Sequence, residues 1–421
     1  MSRRSVEVFA DWSELGRARR MGALHVDQAS TKEVASFEYD ASWLASGKAQ
    51  VLDPRLSLAA GPQFPSGTQS TFGVFKDSAP DKFGRALMRR REAQAAKVEH
   101  RKARVLSDFD YLLGVHDAQR IGALRFRRGP TGPFVDDHEE NAAPPMARLR
   151  DLEAASLALE REGIEDDPRY ARLLALLAPG SSLGGARPKA GVVDTDGRLW
   201  ICKFPSADDD HDVGAWEVVA QRLAARAGVV VPQSSLVRLG HKHHAFLTRR
   251  FDRVDGGGRI HFASAMTLLD RSDGDDADTG ASYLELAELL VRSGANVATD
   301  LEQLWRRIVF SMCISNVDDH LRNHGFLLDP QGGWRLAPAY DLNPVATGEG
   351  LKLNVDDASN PQDLSLAREV APVFRVSARR ASTILDEVVA AVSTWRSEAT
   401  AIGLGRAAQE ELARAFRLAE R

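Results

Sequence analysis

"NVDDHLRNHGFLLDPQGGWRLAPAYD", residues 316–341, places amide and carboxylate oxygens at both ends of what reads as a tight β-hairpin. HGFLL (324–328) and WRLAP (334–338) are apolar runs, and DPQGG (329–333) between them has the proline and glycines that reverse a chain. Closing that hairpin makes Asn323 and Asp341 near neighbours. Two hard oxygen donors on adjacent strand ends, with open positions left over, suit Mg²⁺, which takes few protein oxygens and fills its shell with water and substrate phosphates. Asp318 lies five residues before Asn323, in the loop that leaves a buried helix. A carboxylate there can accept the proton of an attacking hydroxyl. Asn and Asp also populate turns for conformational reasons alone, so the reading depends on what the rest of the chain supplies.

Upstream, SSLGGARPKAG (181–191) is a glycine-rich loop leading into a strand. Gly184 and Gly185 let backbone N–H groups approach a phosphate closely, and Lys189 stands at the far edge. The loop is not G-x-x-x-x-G-K-[ST], and a glycine-rich turn between helix and strand is common. Lys203 ends the apolar strand LWIC (199–202), a poor place for an unpaired ammonium, and Glu217 on the next helix is its candidate partner. Glycine-rich loop, strand lysine, helix glutamate, Asp…Asn and a later metal-binding Asp follow one another in the order found in protein kinases. Each signal is weak by itself; their order is specific.

The remainder of the chain fits such a reading. Its 421 residues are too many for one simple core, while 43% hydrophobic and 27% charged residues are ordinary for a globular protein. A net charge of -4 gives no global basic field for nucleic acid. Two cysteines, Cys202 and Cys313, both in apolar runs, suit a reducing compartment and exclude a disulfide framework. No apolar run has the ~18 residues a membrane span needs, so the expectation is a cytoplasmic protein without a membrane partner. VEVFA (6–10) and ASFEYD (35–40) read as strands, and 82–106 as a basic helix with a solvated face. DDHEENAAPP (136–145) reads as an exposed connection. TDLEQLWRRIVFSMCISN (299–316) predicts a helix with Thr299 and Glu302 as a capping box and Leu301, Leu304, Trp305, Ile308, Val309 and Met312 on one face. The expected division is 1–145, 146–255 and a mainly helical 256–421. His320 and His324 lack a third zinc ligand at suitable spacing, and no G-x-S-x-G elbow supports a hydrolase.

Over nearly its whole length the chain resembles the HipA family, kinase toxins of bacterial type II toxin–antitoxin modules. DSAPDKFGRALM (77–88) is similar to that family's N-terminal signature, SLGGARPK (182–189) to its phosphate loop and ICKF (201–204) to its nucleotide lysine. RRFDR (249–253) resembles its hinge, NVDDHLRN (316–323) its catalytic loop and AYDLNP (339–344) its metal-binding motif. The resemblance implies an α/β, two-lobed protein-kinase-like fold with an N-terminal mixed subdomain and an all-helical C-terminal lobe. It makes Asp318 the general base and gives Mg²⁺ to Asn323 and Asp341. ATP falls to Ser182, Leu183, Gly184, Gly185, Ala186, Arg187, Lys189, Lys203, Arg249, Phe251 and His320, with Glu217 supporting Lys203. It also implies inactivating autophosphorylation at Ser182 and a serine of an aminoacyl-tRNA synthetase, notably glutamyl-tRNA synthetase, as substrate. The implied partner is a HipB-like DNA-binding antitoxin, through which alone operator DNA is reached. Arg187 stands where the family usually has glutamine, and Arg249 where the compared hinge is acidic. The alternative is a catalytically weak HipA-like subunit of a DNA-binding repressor, which completeness of the site disfavours.

Overall fold

Along the first strand, β1 (Arg3–Ala10), Val6 and Val8 are at most 1% exposed while Ser5 and Glu7 reach solvent, the period of two of a half-buried strand. It pairs antiparallel with β2 (Arg19–Ala29), and β2 with β3 (Lys32–Tyr39). With β4 (Pro62–Gln63) and β5 (Leu124–Arg127) the sheet order is β4–β3–β2–β1–β5. Val6 faces Leu24, Leu24 faces Phe37 and Val8 faces Phe126, so one apolar face crosses the strands. Phe75 packs against both Phe37 and Phe126 from a short helix on that face. Gly22 of β2 is required by the close approach of β3, since a Cβ there would lie 2.2 Å from the Glu38 carbonyl oxygen.

This computed structural model describes residues 3–29, 32–67, 69–177 and 185–420. The chain forms two units, Met1–Ala207 with Asp252–Ala263, and Asp208–Phe251 with Ser264–Arg421.

Helices of the first unit are α1 (Ala41–Leu44), α2 (Gly73–Asp77), α3 (Lys82–Val98), α4 (Asp108–Leu113), α5 (Leu149–Leu159) and α6 (Tyr170–Leu176). The basic helix expected to reach 106 stops at Val98. His100 adopts φ 51° there, and Arg101 N–H reaches back to the Ala96 carbonyl, a left-handed termination. Arg120 is wholly buried and donates to the carbonyls of Ser78, Leu112, Val115 and Val135, and burial lowers its pKa to about 9. Strands β6 (Lys189–Val193) and β7 (Leu199–Lys203) form the expected hairpin, with Gly197 at φ 78° in its turn. Residues 252–263 return to this unit through Asp252, which accepts from Gly122 N–H at 2.8 Å.

In the second unit, α7 (Val213–Arg226) precedes the hairpin of β8 (Ser234–Val237) and β9 (Ala245–Arg249). After β10 (Phe262–Ser264) and α8 (Ala265–Leu268) come α9 (Tyr283–Ser293) and α10 (Val297–Cys313). The six apolar residues expected on one face of α10 are each 0% exposed. Its start differs from expectation. Asn296 is the N-cap, so Thr299 lies inside the first turn, and Glu302 pairs with Arg380 rather than closing a capping box. β11 (Gly325–Leu328) and β12 (Trp334–Leu336) pair antiparallel, and α11 (Leu364–Val370), α12 (Ala378–Val392), α13 (Trp395–Ala401) and α14 (Arg406–Leu412) complete the chain. The C-terminal segment is thus helical around one described hairpin. Trp395 stacks on Phe416 at 4.4 Å and 10°.

No helix among the described residues is long and apolar enough to cross a membrane. Both cysteines are buried.

Candidate functional site

α10 ends at Cys313, and two residues later Ser315 takes φ 49° and turns the chain. Short backbone bonds then coil the loop: Asn316 N–H to Ser311 O at 2.8 Å, His320 N–H to Asp318 O at 2.9 Å, and Asn323 N–H to His320 O at 2.8 Å. This coiling gives two adjacent aspartates opposite surroundings. Asp318 is exposed, whereas Asp319 is 4% exposed and points into the unit. Asp319 accepts from the Tyr283 hydroxyl at 2.7 Å and the Ser311 hydroxyl at 3.3 Å, with His324 Nε2 at 3.1 Å. Burial opposes its charge, but the neighbouring His324 and the Tyr283 hydrogen bond hold its pKa below the usual carboxylate range. Asp319 therefore anchors the loop from within and leaves Asp318 projecting.

Asn323 closes the same loop. Its Nδ2 donates to the Asp318 carbonyl at 3.0 Å, and its buried Oδ1 meets no hydrogen-bond donor among the described residues. Such an orphaned amide oxygen costs roughly 1–3 kcal/mol unless something outside the chain satisfies it. A hard cation fits that atom.

The hairpin carries Asp341 to this loop. Ala337 N–H bonds Gly325 O at 2.9 Å, and beyond it three contacts join the returning segment to the 315–323 loop. Tyr340 Oη donates to Arg322 O at 2.6 Å, Asn343 N–H to Asn316 Oδ1 at 3.3 Å, and Val345 N–H to Ser315 O at 3.2 Å. Asp341 itself has φ 59°, a left-handed conformation that Asp tolerates better than most residues, and Asn343 Nδ2 steadies its Oδ1 at 3.3 Å. Asp318, Asn323 and Asp341 thus belong to one stitched pair of segments. Phe251 stacks on Tyr340 with centroids 5.6 Å apart, and Arg249 ends β9, two residues before Phe251. His320 is half-buried, its Nδ1 without a partner among the described residues. His324 turns inward to Asp319, so the two histidines do not form a metal pair.

Of the remaining expected residues, Gly185, Ala186, Arg187, Lys189 and Lys203 belong to the first unit and Glu217 to the second. Gly185 and Ala186 are exposed and Arg187 half-buried, while Ser182, Leu183 and Gly184 fall outside the described residues. Gly185 has φ 92°, a conformation that favours glycine. Lys189 and Lys203 oppose each other in the β6–β7 register. Lys189 is 7% exposed, and its ammonium sits 3.0 Å from Asp81. Asp81 is also the N-cap of α3, accepting from Gly84 N–H at 2.8 Å. This pair ties the start of β6 to the start of α3, a link that no sequence pattern announces. Lys203 is half-buried in the first unit, and Glu217, 2% exposed on α7, belongs to the second.

Asp319, Tyr283, Tyr340, Asn316 and Asn343 are not singled out by sequence patterns, and His324 is singled out there only as a zinc candidate. The doublet Asp318–Asp319 is the available signal, because in a tightly coiled loop adjacent side chains take opposite surroundings.

A D-x-x-x-x-N loop and a hairpin-borne aspartate are thus joined in one mixed α/β chain. Residues 181–395 match the HipA-like C-terminal domain and residues 16–127 the HipA N-terminal domain. The chain belongs to the HipA family. Over 99% of its length it superposes, with a TM-score of 0.67 and 18% identity, on 97% of a chain in the Shewanella oneidensis complex of HipA, HipB and operator DNA. A Haemophilus influenzae protein named "Putative kinase" is 28% identical over 184 residues, 40% of this chain and 53% of that one. A similarly named Sinorhizobium fredii protein is 26% identical over 247 residues, 50% of this chain and 56% of that one. The chain spans about half the length of these curated relatives.

Proposed function

We propose that the chain is a Mg²⁺–ATP-dependent serine/threonine protein kinase, acting in the cytoplasm as the toxin of a type II toxin–antitoxin pair. The observation that carries this reading is the division of labour in one loop. Asp318 projects while its neighbour is anchored, and the Asn323 oxygen waits for a cation beside the segment that bears Asp341. Asp318 takes the proton of the substrate hydroxyl as its oxygen attacks the γ-phosphorus and the bond from phosphorus to the β,γ-bridging oxygen breaks, releasing ADP, a role worth ~10²–10⁴-fold. Asn323 Oδ1 and the Asp341 carboxylate would hold Mg²⁺, which would neutralise charge on the phosphates. Residues 182–187, Lys189 and Lys203 are assigned to the phosphates, and Arg249, Phe251 and His320 to the rest of the nucleotide. Phosphate on Ser182 adds about two negative charges where those of ATP belong, which silences the enzyme.

The substrate in this reading is a serine of an aminoacyl-tRNA synthetase such as glutamyl-tRNA synthetase. Its restraint is a HipB-like antitoxin that also brings the complex to operator DNA, as the named components of the Shewanella complex suggest by analogy. Phosphopeptide mass spectrometry on cells expressing wild type or Asp341→Ala tests this. A synthetase serine phosphorylated only with wild type supports it; identical phosphopeptides from both contradict it.

A further inference from the structure

The residue at which α10 gives way to the catalytic loop is held from the far end of the chain. Ser315 is 0% exposed at φ 49°, a conformation that a non-glycine residue keeps only where its surroundings enforce it. Its hydroxyl oxygen lies 2.8 Å from Arg417 Nη1, 2.9 Å from Gln362 Oε1 and 2.8 Å from the Ala415 carbonyl. Arg417 Nη2 donates to the same Gln362 Oε1 at 2.6 Å. A hydroxyl has one proton, so Ser315 accepts from Arg417 and donates to one of the other two oxygens. The guanidinium therefore spans a hydroxyl and an amide oxygen with two adjacent nitrogens. It also reaches the Arg414 carbonyl at 3.3 Å and makes no ion pair among the described residues.

Ser315 is also where the two chemical segments meet, because its carbonyl accepts from both Val317 N–H at 2.9 Å and Val345 N–H at 3.2 Å. The first leads to Asp318, and the second follows Asp341. Arg417 is delivered to this point by Phe416, whose ring stacks on Trp395. The node is polar, its serine is fully buried, and it lies three residues from the proposed base.

We propose that Arg417 is a positioning residue: through Ser315 and Gln362, the last turn of the chain sets the register of the loop that presents Asp318. This extends the kinase reading above and assigns Arg417 no contact with substrate. Loss of the clamp loosens the start of the loop and lets the base drift, while Tyr340 Oη on the Arg322 carbonyl still ties the segment of Asp341 to the loop's far end, and about 1 Å of misplacement costs about 10²-fold in rate.

The test uses full-length wild type, Arg417→Ala, Arg417→Lys and Gln362→Met, the last removing the amide oxygen at similar volume. Phosphotransfer kinetics, Mg²⁺–ATP affinity, melting temperature and amide hydrogen exchange are measured on each. The expected result for Arg417→Ala is a kcat lowered ~10- to 100-fold with ATP affinity unchanged. Exchange quickens at residues 316–319 but not within α10, Gln362→Met shows the same pattern, and Arg417→Lys recovers part of kcat. Unchanged kcat and exchange overturn the proposal, as does a loss of kcat, ATP affinity and melting temperature together in both Arg417→Ala and Gln362→Met. If Arg417→Ala does not fold, Gln362→Met decides alone by the same criteria. Wild type that transfers no phosphate overturns the kinase reading and with it the catalytic role of the clamp, while the exchange data separately decide whether Arg417 orders the loop.

Discussion

Asn323 Nδ2 donates to the carbonyl of Asp318 across 3.0 Å, and that bond decides which end of the buried asparagine is left without a partner among the described residues. With nitrogen turned to the loop, the oxygen is left for a cation. Asn323→Ala deletes both functions. Wild type at about 100 times its Kd for Mg²⁺–ATP gains about 2.7 kcal/mol of stability. The variant is expected to lose most of that gain in a thermal-shift titration and to lose only about 1 kcal/mol of its ligand-free stability.

Asp318 and Asp319 share a side-chain type and differ in surroundings, so substitution should separate chemistry from folding. Asp318→Asn is expected to keep its denaturant midpoint, since the side chain is exposed. Asp319→Ala removes a buried anion from the Tyr283 hydroxyl and His324 and is expected to cost ~3–5 kcal/mol. Urea unfolding of the two variants beside wild type checks this; equal midpoints would show that the inward anchor is not one.

Asp81 serves α3 and Lys189 at once. Replacing it with alanine removes a helix cap, worth ~1 kcal/mol, and the anion 3.0 Å from a buried ammonium. The loss should therefore exceed a cap's alone, at about 2–4 kcal/mol. Lys189→Met combined with Asp81→Ala should cost less than the sum of the single changes. Additive costs in that double-mutant cycle would mean the two residues do not interact.

Lys203→Ala is expected to weaken phosphate positioning more than adenine binding, because its ammonium follows an apolar strand and serves charge partners. Titration with ATP and with adenosine distinguishes the two: affinity for ATP should fall and that for adenosine stay. Unchanged ATP affinity together with unchanged turnover would remove this lysine from the site.

What the sequence reveals here is chemistry that local patterns encode. The buried face of α10 follows from helical spacing, and the hairpins from D-T-D-G (194–197) and D-P-Q-G-G (329–333) turns. What it conceals is set by partners far along the chain. Nothing near Lys189 announces Asp81, and nothing near Ser315 announces Arg417. The inward turn of Asp319 depends on Tyr283 in another helix. The start of α10 was misplaced because Thr299 and Glu302 satisfy the capping-box spacing, while Asn296 caps without a side-chain bond and Glu302 is drawn to Arg380.

The central claim, that Asp318 is the base of a phosphotransfer reaction whose metal site it does not share, is tested most directly by intact mass. Wild type and Asp318→Asn are incubated with Mg²⁺–ATP, after each is shown by thermal shift to bind the nucleotide. Wild type should gain phosphate, mapped by peptide mass to Ser182, while Asp318→Asn binds equally and gains none over the same interval. Phosphate appearing on Asp318→Asn at the wild-type rate would contradict the account.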